Sequence, residues 1–206
     1  SEIDILWYVK DGEHAHKGQE IVVIIGCKKT LLLLERALLN CLGQLSGIAT
    51  NTAAWVNESP IPLACTRKTI WGLLDKWAVH MGGGLTHRLN RSDATMVKEN
   101  DLASMLEDIE GNANRITSYL QSVDVEQCGA FLEVEVRDEK EAMMAAMIWS
   151  SRRPSENLSK LVIMLDNFDP ERCKAVADEM TELSIREHVV LEASGGITFK
   201  KMNDWK

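Results

Sequence analysis

The chain has 206 residues, room for one large domain or two small ones with a sizeable core. It is 45% apolar and 26% charged, the composition of an ordinary globular protein. With 31 acidic against 23 basic side chains, its net charge of −8 excludes a general binder of nucleic acid or anionic membrane. The longest charge-free apolar runs, such as Ile21–Ile25 and Leu31–Leu34, are too short to span a bilayer, and the opening Ser-Glu-Ile-Asp-Ile-Leu-Trp lacks the basic stretch of a signal peptide. The five cysteines, Cys27, Cys41, Cys65, Cys128 and Cys173, are odd in number and contain no C-x-x-C pair. That argues against a disulfide framework or a cysteine zinc site and for buried, reduced thiols in a cytoplasmic protein.

In chain order, residues 1 to 29 read as short strands and turns, punctuated by Asp11-Gly12 and Lys17-Gly18, with Ile21–Ile25 as a buried strand. His14 and His16 could share a face of an extended segment, but no third metal ligand accompanies them. A long helix is predicted from Leu31 to Val56, with Leu34, Leu38, Cys41, Leu45, Ile48, Thr52 and Val56 at helical spacing; Asn57 to Pro62 ends it. After Pro60 strands and helices alternate. Short strands are expected at Ile61–Cys65, Leu85 and Ala94–Val97, and helices at Gly72–Met81, stopped by Gly82-Gly83-Gly84, and at Asp101–Leu120. Strand Phe131–Val136, helix Asp138–Trp149, strand Leu161–Leu165, helix Pro170–Leu183 and strand His188–Ala193 follow. This alternation predicts a parallel sheet, closed or nearly closed into a barrel.

Polar residues cluster at the predicted strand ends. Arg67-Lys68, His87-Arg88, Lys98, Glu135, Asp166 and Ser194 each lie at or just past the C-terminal end of a strand, the rim on which β/α barrels build their sites. Glu133 shares the face of Glu135 one layer deeper, as a buried carboxylate. From Thr66 to Lys98 six basic residues stand against two acidic ones, a basic island suited to a small polyanion or to a solvated face. Ser194-Gly195-Gly196, just before Thr198 as an N-cap, offers backbone N–H groups to an anion at the place where barrels often hold phosphate.

These stretches resemble the quinolinate phosphoribosyltransferase family. The likeness is carried by Glu35-Arg36-Ala37-Leu38-Leu39-Asn40, Ser46-Gly47-Ile48-Ala49-Thr50, Thr66-Arg67-Lys68-Thr69 and Lys76-Trp77-Ala78-Val79. It continues through Gly82-Gly83-Gly84, His87-Arg88, Ser92-Asp93, Val97-Lys98-Glu99-Asn100, Glu133-Val134-Glu135-Val136, Leu165-Asp166-Asn167 and Leu191 to Ile197. The resemblance implies an α/β protein: an N-terminal sandwich-like domain with a long helix, here residues 1–58 and incomplete, then an open α/β (TIM-like) barrel over 59–206, here without its last strand. It departs from the family pattern at Ile70-Trp71, Leu74 and Asp101.

The resemblance further implies transfer of a phosphoribosyl group from phosphoribosyl pyrophosphate to quinolinate, with loss of CO₂, in NAD biosynthesis. Arg67, His87 and Arg88 would clamp the two carboxylates of quinolinate, and Arg36 would reach a neighbour's site across a homodimer. Lys68 and Lys98 would stand between the two substrates. Glu135 and Asp166 would take ribose hydroxyls and Mg²⁺, directly or through water, and Ser194, Gly195 and Gly196 would cradle the 5′-phosphate. Two alternatives share the fold: the molybdate-transport-associated homologue, against which Lys98-Glu99-Asn100 speaks, and a truncated, non-catalytic dimerising homologue. A lipoyl-type carrier is a further alternative, but neither Lys10 nor Lys17 sits in the motif it needs.

Overall fold

The computed structural model describes residues 3–205, which form two compact units, one ending at His87 and the other running from Arg88 to Trp205. In the first unit, β1 (Asp4–Trp7) and β2 (Val22–Ile25) pair antiparallel, with Asp4 opposite Ile25 and Trp7 opposite Val22. Helix α1 (Lys28–Glu58) exceeds the predicted span at both ends. By length and composition alone α1 is long and apolar enough to cross a bilayer, which corrects the expectation drawn from its short charge-free runs. Its half-buried residues, including Leu38, Leu45, Ile48, Thr52 and Val56, follow the predicted stripe, whereas Leu34 and Cys41 are exposed.

Helix α2 (Leu73–Met81) packs on α1 through the glycine turn that ends it. A Cβ on Gly82 would overlap Ala49 O and lie 2.7 Å from Thr52 Cβ, so only glycine lets the two backbones approach this closely. The predicted strands at 61–65 and 85 reduce to one isolated parallel bridge, Ala64 to Leu85. Lys76 is 2% exposed, and its ammonium donates to Thr86 O and, at 3.5 Å, to Cys65 Sγ. It braces the two short segments from inside and is not part of a solvent-facing basic island.

The second unit is a four-stranded parallel sheet in the order β3 (Thr95–Val97), β4 (Leu132–Val136), β5 (Leu161–Asp166), β6 (Val189–Ser194). Consecutive parallel order is that of a singly wound α/β barrel. The predicted helix over 101–120 is two helices, α3 (Glu99–Met105) and α4 (Asn112–Ser122). The acidic 107–110 segment and Gly111, at φ +80°, interrupt the helical run, and Arg115 Nε donates to Leu106 O across the break. Helix α5 (Glu139–Glu156) continues seven residues past the predicted end at Trp149; α6 is Pro170–Glu182, and a 3₁₀ helix, Phe199–Trp205, follows Thr198.

The core lies between the helices and one face of this sheet. Val97, Val134, Val136, Ile163 and Leu165 pack against Ile116 and Leu120 of α4, Ala142, Ala145, Ala146 and Trp149 of α5, and Val176 and Met180 of α6. Each large apolar side chain buried there contributes on the order of 1.5–3 kcal/mol. Trp149 keeps its indole N–H satisfied by donating to Ser159 O at 2.9 Å, and the Arg152 guanidinium donates to Leu120 O and Val123 O, closing the C-terminus of α4. Asp138 and Asp169 cap α5 and α6 by accepting from Glu141 N and Arg172 N, each at 2.8 Å, so both helices begin within a few residues of a strand end.

All five cysteines are free thiols, as expected, but Cys27 and Cys41 are exposed and only Cys128 is fully buried. Burial pushes the Cys173 thiol up to about 11, with Asp169 adding to the effect, and burial likewise raises Cys128. A thiol at about 11 is almost wholly protonated at pH 8, and only the thiolate reacts. Cys173 should therefore alkylate with iodoacetamide at pH 8 at least about tenfold more slowly in the folded protein than in concentrated urea. Peptide mapping measures this directly, and equal rates in the two states would contradict the burial.

Candidate active site

The pairing register arranges the face of the second unit's sheet opposite the core in rows. Met96 lies beside Glu133, which lies beside Val162; Glu135 lies beside Met164, which lies beside Glu192; Asp166 lies beside Ser194. Strand side chains alternate, so Val97, Val134, Val136, Ile163 and Leu165 point into the helix-covered core while these rows point the other way. Lys98, one residue past β3, pairs its ammonium with the Glu135 carboxylate, its neighbour across the sheet. The C-terminal ends of four strands thus bring Lys98, Glu135, Asp166 and Ser194 to one end of one face.

The loops beyond those ends are tied by polar contacts. Asp101 accepts from Lys98 N at 3.0 Å and faces Arg91 at 3.5 Å, so the carboxylate at this departure from the family pattern caps α3. Glu99 pairs with Arg137 across the β3 and β4 ends. Glu139 pairs with Arg172 at 2.7 Å, and that guanidinium lies 4.0 Å over the Phe168 ring. Asn167, at φ +57°, donates its backbone N–H to Ser194 O at 2.7 Å and its side-chain amide to Asp166 Oδ2 at 2.9 Å.

Arg88 is 6% exposed, with Nη1 3.3 Å from Ala94 O and Nη2 3.2 Å from Met96 Sδ, the first row of the sheet's charged face. Glu133 is fully buried, as expected from its depth, and its carboxylate lies within 4.8 Å of that of Glu192. Arg36, Arg67, Lys68 and His87 of the predicted site residues belong to the first unit. Arg67 and Lys68 are exposed in a turn in which Thr69 N donates to Arg67 O and Lys68 N to Thr66 Oγ1. Buried Asp75 anchors that turn by accepting from Ile70 N and Trp71 N at 2.8 and 2.9 Å. His87 has φ +51° and is half-buried; Arg36 is exposed on α1. Gly195 and Gly196, at φ +88° and +65°, form the turn after β6.

Sequence reasoning gave no role to Glu192, Arg137 or Asn167. Glu192 was legible as the residue two before Ser194, on the same strand face; Arg137, two after Glu135, follows the same rule. Asn167 was signalled by an Asp-Asn pair closing a strand, because Asn tolerates the left-handed region.

An α/β chain of parallel strands with facing cations and carboxylates at the strand C-termini belongs to the class of barrel-type proteins whose sites are built on that rim. The family profile described as quinolinate phosphoribosyl transferase, C-terminal domain, matches residues 48–206, and that of the N-terminal domain matches residues 1–46. The chain belongs to the quinolinate phosphoribosyltransferase family. A probable nicotinate-nucleotide pyrophosphorylase (carboxylating) of Methanothermobacter thermautotrophicus is 33% identical over 203 residues, covering 95% of this chain and 66% of that protein. One from Bacillus subtilis is 32% identical over 211 residues, covering 99% and 65%. Among solved structures, NadC from Streptococcus pyogenes superposes with a TM-score of 0.75 at 31% identity, over 100% of this chain and 67% of that one. The chain thus spans about two thirds of the length of these relatives and 56% of one from Nicotiana glauca.

The turn after β6 yields a test of this geometry. A Cβ on Gly195 would overlap Asn167 Oδ1 and lie 2.7 Å from its Cγ, in a backbone region that costs a non-glycine residue about 1–3 kcal/mol. Gly195→Ala should lower unfolding stability by at least that amount. Adding Asn167→Gly should recover part of the loss, because it removes the overlap but not the φ penalty. Additive effects in denaturant melts would contradict the contact.

Proposed function

We propose that the protein of which this chain is part transfers the phosphoribosyl group of phosphoribosyl pyrophosphate to quinolinate with decarboxylation, giving nicotinate mononucleotide, pyrophosphate and CO₂. The observation that carries this reading is the placement of Lys98, Glu135, Asp166 and Ser194 at the C-terminal ends of four parallel strands, in the order of the family's motifs. Names borne by the relatives support it.

Quinolinate is a dianion, and guanidinium groups pair with carboxylates bidentately, so Arg67 and Arg88, with His87, fit its clamp. One such pair gains about 4 kcal/mol at 4 Å and an effective dielectric of 20, before desolvation. Holding the pyridine nitrogen against the anomeric carbon removes orientational entropy from the barrier. As pyrophosphate leaves, the ribose gains oxocarbenium character, which the carboxylates of Glu135 and Asp166 stabilise, while Lys68 and Lys98 take up leaving-group charge. The alkylated nitrogen is positive and stabilises the electron pair that stays on the adjacent ring carbon when its carboxylate departs as CO₂; that carbon then takes a proton from water, which completes nicotinate mononucleotide. Ser194, Gly195 and Gly196 present a turn to the 5′-phosphate.

Mg²⁺ fits the hard oxygen donors. Asp166 has Oδ2 held by Asn167, and Glu135 has one carboxylate oxygen engaged by Lys98, so each carboxylate has a second oxygen to offer a cation. Bound there with the substrate's own oxygens, Mg²⁺ would neutralise pyrophosphate charge. A homodimer belongs to the same reading: α1 exposes Leu32, Leu33, Leu34 and Leu39 around Arg36, and a two-fold axis would deliver each chain's Arg36 to the other's pocket.

The test is mass balance with carboxyl-labelled quinolinate. CO₂ and nicotinate mononucleotide should form one for one, and Arg67→Ala should weaken quinolinate binding by roughly ten- to several hundredfold, as for loss of a charge-assisted hydrogen bond. Mixed chains carrying Arg36→Ala and Arg67→Ala should regain activity together. Release of CO₂ without nucleotide, or binding unchanged in Arg67→Ala, would refute the assignment.

A further inference from the structure

Asn167 joins the ends of two neighbouring strands. Its main chain is fixed to β6 by the 2.7 Å bond from Asn167 N to Ser194 O, and its side chain is fixed to β5 by the 2.9 Å bond from Nδ2 to Asp166 Oδ2. It holds φ at +57°, which Asn tolerates better than most residues. Its amide lies so close to the Gly195 backbone that any side chain at 195 would collide with it. The amide therefore has one orientation: Oδ1 faces the glycine turn and Nδ2 faces the carboxylate. An ionised carboxylate only accepts, so this donor engages Oδ2 and leaves Oδ1 as the oxygen that can serve another partner.

We propose that Asn167 is a positioning residue for the Asp166 carboxylate: it fixes Oδ1 toward the cation and ribose hydroxyls of phosphoribosyl pyrophosphate and locks that carboxylate to the Ser194–Gly195 phosphate turn. The proposal rests on the functional reading above and adds to it a residue that touches neither substrate. One amide couples the ribose end of the substrate to its phosphate end. Partners that orient a ligating carboxylate typically change affinity ten- to a hundredfold when lost.

Two substitutions separate positioning from packing. Asn167→Asp keeps the shape against Gly195 but turns the donor into a second acceptor beside Asp166; Asn167→Gly keeps the left-handed backbone and deletes the amide. Calorimetric titration with phosphoribosyl pyrophosphate in the presence of Mg²⁺ should show both variants binding about ten- to a hundredfold more weakly than wild type. Quinolinate, titrated separately, should bind all three proteins within about twofold, since its clamp makes no use of Asn167. Wild-type affinity for phosphoribosyl pyrophosphate in both variants overturns the proposal. So does an equal loss for both ligands, which would mark a structural role. A wild-type chain that binds no phosphoribosyl pyrophosphate overturns the functional reading itself, and this proposal with it.

Discussion

In-register parallel pairing holds β3 to β6 so that Glu135, Met164 and Glu192 lie side by side and Asp166 meets Ser194. Strand side chains alternate, so a shift of one residue in β4 would turn Glu135 into the helix-covered core and bring Val136 out. A carboxylate left unpaired there would cost several kcal/mol, and a displaced valine would forgo about 1.5–3 kcal/mol of burial. The apolar residues that specify the register thereby specify the charged rows as well. The caps at Asp138 and Asp169 extend this control by starting α5 and α6 close to the strand ends, which keeps the loops carrying Arg137 and Asn167 short.

The same logic explains the chemistry of the charged end. Lys98 and Glu135 are oppositely charged neighbours, each offsetting the cost of holding the other at the edge of the sheet. Glu99 with Arg137 and Glu139 with Arg172 continue that alternation around the loops.

Much of this was readable from residue order. Periodicity marks α1, α2 and α6 and strands β4, β5 and β6, because long periodic runs and β-branched stretches dominate local choice. The predicted helix over 101–120 failed at 106–111, where Gly111 and a run of acidic residues break a pattern that the apolar spacing alone carries across. The strands at 61–65 and 85 were overcalled because a short apolar run is also satisfied by a single bridge. Charge counting put Lys76 on a basic surface, while the fold buries it on Thr86 O; sign alone carries no information about direction. At the candidate site, strand-end placement identified Lys98, Glu135, Asp166 and Ser194. Asn167 escaped because its contacts depend on a backbone angle and on a neighbour from another strand.

The claim that the C-terminal ends of β3 to β6 form the substrate site has a direct test in hydrogen exchange with and without phosphoribosyl pyrophosphate and Mg²⁺. Ligand should slow amide exchange at residues 97–99, 135–139, 166–169 and 194–197, the four strand ends and the loops that leave them. Slowing confined to the opposite ends of the strands, around residues 131–132, 159–161 and 187–189, would contradict the account.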